Sequence, residues 1–155
     1  MTIEIPGTGP VEIKNMLLDY NGTLAIDGKL IPGVAEAVSR LSAEMDVHVI
    51  TADTFGSVER ELQNLNCTLV KIPENNQDQS KLDYLLKLGK DTTLSVGNGR
   101  NDTLILRESA IGIALLQEEG ACVNALMTAD IACQSILDAF ALLENPGRLK
   151  ATLRN

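Results

Sequence analysis

Tryptophan is absent from this chain, and the other aromatics are scarce, with two Phe and two Tyr among 155 residues. That leaves little material for a surface that stacks nucleobases. Basic residues are in the minority as well. Thirteen Lys and Arg stand against 21 Asp and Glu, a net charge of −8, which argues against a partner gripped by its nucleic-acid backbone. A small phosphorylated molecule stays open, because a bound divalent cation reverses the local sign. No apolar run approaches the length of a membrane span and no signal-like segment opens the chain, so a cytoplasmic location is expected. Histidine occurs once, as His48 in Val47-His48-Val49-Ile50, and reads as a strand residue. The three cysteines, Cys67, Cys122 and Cys133, are odd in number and fit no metal spacing, so reduced core thiols are expected.

What is plentiful is aliphatic. The hydrophobic fraction is 45%, enough for a sizeable core of Leu, Ile, Val and Ala in one domain. Residues 2–13 alternate apolar and polar around a Pro-Gly turn, which predicts an edge hairpin at the amino end. Strands are then expected over 16–18, 47–51, 67–72, 93–96, 111–115 and 129–132. Helices are expected over about 33–44, 57–64, 80–88, 102–108, 118–127 and 134–144, with a short basic helix from Pro146. Asp27-Gly28 marks a further turn. This alternation predicts an α/β fold: a Rossmann-like three-layer α/β/α sandwich with a mostly parallel sheet and right-handed crossovers. No repeat or low-complexity run interrupts it.

Three of the expected strands run into polar segments: Asp19-Tyr20-Asn21-Gly22-Thr23, Thr51-Ala52-Asp53-Thr54 and Gly97-Asn98-Gly99-Arg100-Asn101-Asp102. Parallel strands bring their carboxyl ends to one edge, where open α/β sheets bind ligands. A carboxylate there, followed by a Gly-rich turn, suits nucleophilic attack on a phosphoryl group, with a cation to offset charge.

The first of these segments resembles motif I of the haloacid dehalogenase superfamily, and the last resembles its motif IV in the form shared with P-type ATPases. Thr51 matches motif II, and Lys81 lies at a distance suiting motif III, with Lys71 and Lys87 as competitors. The resemblance spans residues 16–102, and the chain looks like a small soluble relative of the P-type ATPase phosphorylation domain. It implies that Asp19 is the nucleophile that becomes an aspartyl phosphate. It implies that Thr51, with backbone N–H groups around Asn21, Gly22 and Ala52, holds the phosphoryl oxygens, and that Lys81 neutralises charge. Magnesium would lie among Asp19, the Asn21 carbonyl, Asn98 and Asp102. Asp53 and Thr54 are assigned to loop geometry, and Arg100 is left open.

Two departures qualify the resemblance. Phosphatases of the superfamily carry Asp two residues after the nucleophile, to protonate the leaving group and activate water; here Asn21 cannot. Loss of a general acid/base costs roughly 10²–10⁴-fold, so slow turnover is expected. Asn98 stands where a metal-binding Asp is usual and supplies an uncharged oxygen, so weak magnesium binding is expected. Only a turn and one helix fit between Thr23 and Val47, which leaves no room for a cap, and the site is expected to be open. Capless relatives commonly act on large substrates or oligomerise; the amino-terminal hairpin and carboxyl-terminal helix are the surfaces expected for self-association. The competing reading is a regulatory protein that keeps a degenerate phosphate- or metal-binding site. A receiver-like phosphoacceptor would need an acidic pair near the chain start, and Glu4 and Glu12 do not form one.

Overall fold

A computed structural model describes residues 1–53 and 56–155. Thr54 therefore lies outside the described residues, and the second polar segment is described only to Asp53. The organising strand is β3, Asn15–Asp19, buried at every residue. It pairs in parallel with β6 (Asp46–Thr51) on one side and β8 (Thr93–Gly97) on the other. β7 (Thr68–Lys71) extends the sheet beyond β6, and β9 (Ile111–Leu115) and β10 (Ile131–Cys133) extend it beyond β8. The result is a six-stranded, wholly parallel sheet in the order β10-β9-β8-β3-β6-β7.

Continuous apolar strands need both faces covered, and the side-chain alternation shows how this is done. Met16 and Leu18 join one cluster with Val47, Val49, Leu94 and Val96. That face is covered by helices α1 (Val34–Leu41), α2 (Ser57–Leu62), α6 (Ile136–Glu144) and α7 (Pro146–Leu153). Leu17 and Ile50 point the other way, to Leu85 and Ile105 on α3 (Gln77–Leu88) and α4 (Thr103–Glu108). A third cluster joins Leu106 and Ala114 to Ala125 of α5 (Val123–Thr128). In α1 the buried residues Val34, Ala37, Val38 and Leu41 repeat at helical spacing. Ser135 caps α6, its hydroxyl accepting the Asp138 amide at 3.1 Å.

The amino-terminal hairpin forms as expected, from β1 (Thr2–Ile5) and β2 (Gly9–Glu12), but as a two-stranded sheet of its own against α7. A second small hairpin, β4 (Ala25–Ile26) and β5 (Lys29–Leu30), turns at Asp27-Gly28, both with positive φ. It follows the Asp19 loop directly.

Several boundaries differ from expectation. Helix α3 starts at Gln77 rather than Ser80, because the Gln77 side chain donates back to the Glu74 carbonyl at 3.0 Å and starts the helix within the polar run. Helix α5 starts only at Val123, since Gly120 takes a positive φ that halts any helix from Glu118. The three thiols are free and only half-buried, not core residues. The large exposed apolar side chains, Leu86, Leu116, Val123, Met127 and Leu137, lie on neither surface expected for self-association. Among the described residues no helix is long and apolar enough to cross a membrane.

Candidate active site

The carboxyl ends of β3, β6 and β8 meet at a cleft of about 760 Å³. Its lining includes Asp19, Asn21, Thr51, Ala52, Asn98 and Gly99. All three polar segments therefore reach one site, as their sequence positions require.

Lys81 comes from α3, on the same helix face as Leu85, and both are buried. Its ammonium lies 2.6 Å from Asp19 Oδ1 and 2.6 Å from Asp102 Oδ1. The alternatives fall away on position. Lys71 pairs with Glu59 at 2.7 Å on the surface, and Lys87 is exposed. Burial works against the Lys81 charge, but the two carboxylates outweigh it and hold the ammonium above its ordinary pKa. Lys81 is 1% exposed and sits behind Asp19, so it braces the Asp19 carboxylate from inside.

Asp19 is itself mostly buried. Burial, and next the Asp102 charge, push its carboxyl up to about 6, against the opposing pull of Lys81 and the Tyr20 amide. Its second oxygen accepts the Thr23 hydroxyl at 3.2 Å. Asp102 is fully buried. While one of its oxygens holds Lys81, the other accepts the Asn98 and Gly99 amides at 3.0 and 2.8 Å. Asp102 thus shapes the Gly97–Asp102 turn, and it does not line the cleft as its motif position suggested. A Cβ at Gly97 would land on the Asp102 carboxyl, so this tight turn needs glycine there.

Asn98 Nδ2 donates to the Gly120 carbonyl at 3.0 Å, which leaves its Oδ1 toward the Thr23 hydroxyl at 3.4 Å. Gly22 approaches Asn98 so closely that a Cβ would overlap the Asn98 amide, and Gly22 also has φ +75°. The Gly22 N–H is spent on the Ala25 carbonyl at 2.8 Å, so it is not free to hold a phosphoryl oxygen as expected. Thr51 Oγ1 accepts the Asp53 amide at 3.1 Å, and its hydroxyl proton has no acceptor among the described residues. Asp53 also lines the cleft, its Oδ2 accepting the Ser57 hydroxyl at 2.7 Å.

These groups suit a divalent cation of the hard, oxygen-seeking kind. Two buried carboxylates face one ammonium, and the raised Asp19 carboxyl reports that its negative charge is under-compensated. The oxygens nearest to hand are the Asp19 carboxylate and the Asn98 side-chain carbonyl, few enough that the ion would keep several waters, as magnesium does. Among the described residues no three Asp, Glu, His or Cys side chains form a ready metal cluster.

Sequence reasoning missed Gln117. Its Nε2 donates to the Gly22 and Thr23 carbonyls at 2.8 and 2.9 Å, and its Oε1 accepts the Ile136 amide at 2.7 Å. It ties the Asp19 loop to the start of α6. Nothing in the local sequence marks it, because its partners lie 19 and 94–95 residues away. His48 stays in mid-strand as expected, its Nδ1 3.0 Å from the Tyr84 hydroxyl.

The α/β fold is shared with solved proteins of the haloacid dehalogenase type. The chain superposes on 3-deoxy-D-manno-octulosonate 8-phosphate phosphatase of Moraxella catarrhalis, solved with magnesium, phosphate and KDO, at a TM-score of 0.71 and 16% identity, covering 90% of this chain and 92% of that one. The cobalt-bound enzyme of the same name from Haemophilus influenzae gives 0.70 at 12% identity, with 90% and 92% covered. A zinc-transporting PIB-type ATPase gives 0.64 at 23% identity, over 79% of this chain and 20% of that one. No protein-family model matches the sequence. The chain belongs to the same family as Uncharacterized protein MJ0073 of Methanocaldococcus jannaschii, which is 39% identical over 80 residues, 49% of this chain and 86% of that protein. Uncharacterized protein MJ0072 of the same organism is 44% identical over 39 residues, 25% of this chain and 89% of that protein.

Proposed function

We propose that this chain is a magnesium-dependent phosphohydrolase or phosphotransferase that works through an aspartyl phosphate on Asp19. The observation that supports this most is the Lys81 ammonium, 2.6 Å from both Asp19 and Asp102 beside a cleft open to substrate. In this reading the Asp19 carboxylate attacks phosphorus. The Thr51 hydroxyl and the Ala52 backbone orient the phosphoryl oxygens, and Lys81 and Thr23 hold the carboxylate in place. Catalysis is then chiefly positioning and charge compensation. Magnesium, held by Asp19, the Asn21 backbone carbonyl and Asn98, with Asp102 behind them, would neutralise charge on the transferred group.

The site has no cap in this reading. Between Thr23 and Val47 the chain holds only the β4–β5 hairpin and α1. We also propose that it works in the cytoplasm and that it self-associates, as capless relatives do; a monomeric mass by light scattering at high concentration counts against the latter. A second reading, a non-catalytic phosphate- or metal-binding regulator, draws on Asn21 and Asn98, neither of which carries a charge.

Turnover of an aryl phosphate with and without magnesium separates the two. The enzyme reading expects metal-dependent release that Asp19→Ala abolishes and Asn21→Asp raises, roughly 10²-fold or more. If neither the parent nor Asn21→Asp releases phosphate or traps a phosphoenzyme, the regulatory reading stands.

A further inference from the structure

We propose that the site is selective for phosphoryl donors whose leaving group departs as a stable anion, acyl and aryl phosphates among them, and that it discriminates against alkyl phosphate esters. The inference rests on the phosphoryl-transfer reading above and adds the class of substrate. Its ground is the lining of the cleft, whose described residues offer no group placed to hand a proton to a leaving oxygen.

Asn21 lines the cleft two residues beyond the nucleophile, and its amide donates hydrogen bonds but does not release a proton. The other lining residues that bear on proton transfer can be taken in turn. Lys81 does not line the cleft; its ammonium is buried against two carboxylates. Ser57 directs its hydroxyl proton to Asp53, so the Asp53 carboxyl acts there as an acceptor. Glu74 is exposed, and its side chain has no hydrogen-bond or ion-pair partner among the described residues to fix it against a leaving oxygen. No Lys, Arg, His, Cys or Tyr appears among the described lining residues.

The balance of the step follows. An Asp19 oxygen forms a bond to phosphorus while the bond from phosphorus to the leaving oxygen breaks. The electron pair stays on that oxygen, which leaves as a carboxylate or aryloxide and needs no proton. Water later attacks phosphorus, gives its proton to solvent, and restores the Asp19 carboxylate with release of inorganic phosphate. An alkoxide leaving group lacks that option and meets the full barrier. The absence of cationic lining residues also disfavours a donor whose organic part is strongly anionic.

The test is the full chain with magnesium and three probes: acetyl phosphate, p-nitrophenyl phosphate and glycerol phosphate. Phosphoenzyme formation is read by acid-quench mass spectrometry alongside phosphate release. Acetyl and p-nitrophenyl phosphate should exceed glycerol phosphate by about 10²-fold or more in kcat/KM, the scale of a missing general acid. Asn21→Asp, a near-isosteric change at an exposed residue, should raise the glycerol phosphate rate most and narrow that gap. Comparable rates for all three donors in the parent chain overturn the inference, since some lining group would then be protonating the leaving oxygen. An equal gain for all three donors in Asn21→Asp overturns it as well. Absence of phosphoenzyme from every donor in both chains removes the phosphoryl-transfer reading itself, an outcome distinct from loss of selectivity.

Discussion

At the scale of single residues, Lys81 carries the site. It is 1% exposed and satisfies two carboxylates, Asp102 fully buried and Asp19 at the floor of the cleft. Removing one member of a buried ion cluster leaves the others uncompensated, which typically costs about 3–5 kcal/mol. Lys81→Met should lower unfolding stability by that amount in urea, and a loss below about 1 kcal/mol would contradict the buried geometry. Asp19 gives the pH counterpart. Its carboxyl is raised by burial and by Asp102 to about 6 in the fold, from an ordinary 3.8. Between those values the native state binds more protons than the unfolded chain, so this group's contribution is full below 3.8 and is lost as pH rises through about 6. In chelator, Asp19→Asn should therefore melt higher than the parent at neutral pH, with the gain shrinking toward pH 4. A difference constant across that range would mean that burial does not lift Asp19. Asp19 and Thr51 were legible because strand ends and residue type announce them, whereas Lys81 was singled out only by its spacing from the Gly97–Asp102 segment, with Lys71 and Lys87 still in competition. The double use of Asp102, on Lys81 and on two amides, was not, because it depends on how tightly the Gly97 turn closes.

At the scale of elements, the Asp19 loop is held by segments distant in sequence. Gln117 donates to two of its carbonyls, and Glu119 accepts the Asp27 amide of the β4–β5 hairpin at 2.9 Å. The same stretch reaches the Gly97–Asp102 turn, where the Cys122 amide donates to the Asn98 carbonyl at 2.8 Å. The segment between β9 and α5 thus braces both loops that border Asp19. The sequence pattern over 118–127 reads as one helix, and this bracing role explains why it is not. Gly120 turns the chain back, freeing its carbonyl for Asn98 and releasing α5 only at Val123. The alternation of strands and helices, and with it a parallel sheet between two helical layers, was readable from periodicity, whereas this loop answers only to tertiary partners. Gln117→Ala should leave two loop carbonyls unpaired and cost about 1–3 kcal/mol in stability. If Asp19 is the nucleophile as proposed, the substitution should lower kcat more than it raises KM, because the loop that Gln117 positions carries that carboxylate. A proportionate change in both with no loss of stability would deny it that positioning role.

At the scale of the whole molecule, charge sets the terms on which the proposed phosphorylated substrate would arrive. The chain carries −8 overall, and the cleft adds Asp19, Asp53 and Glu74 with no Lys or Arg among its described lining residues. A phosphate dianion approaching this surface meets repulsion that the enclosed Lys81 cannot offset, because two carboxylates already consume its charge. A divalent cation at Asp19 and Asn98 changes that balance at the point of contact, while the remaining field still acts over the Debye length, about 8 Å at physiological ionic strength. Two consequences can be measured. Inorganic phosphate should raise the melting temperature only when magnesium is present, and magnesium alone should do so at millimolar rather than micromolar concentration, since one of its oxygen donors is an uncharged amide. With magnesium saturating, kcat/KM for an anionic aryl phosphate should rise, roughly 2- to 10-fold, as inert salt is added from very low to physiological ionic strength, the reverse of the fall seen where a basic cleft steers its ligand. A fall with salt would mean that attractive charge outside the described cleft draws the substrate in, and that the acidic surface is not what the ligand meets first.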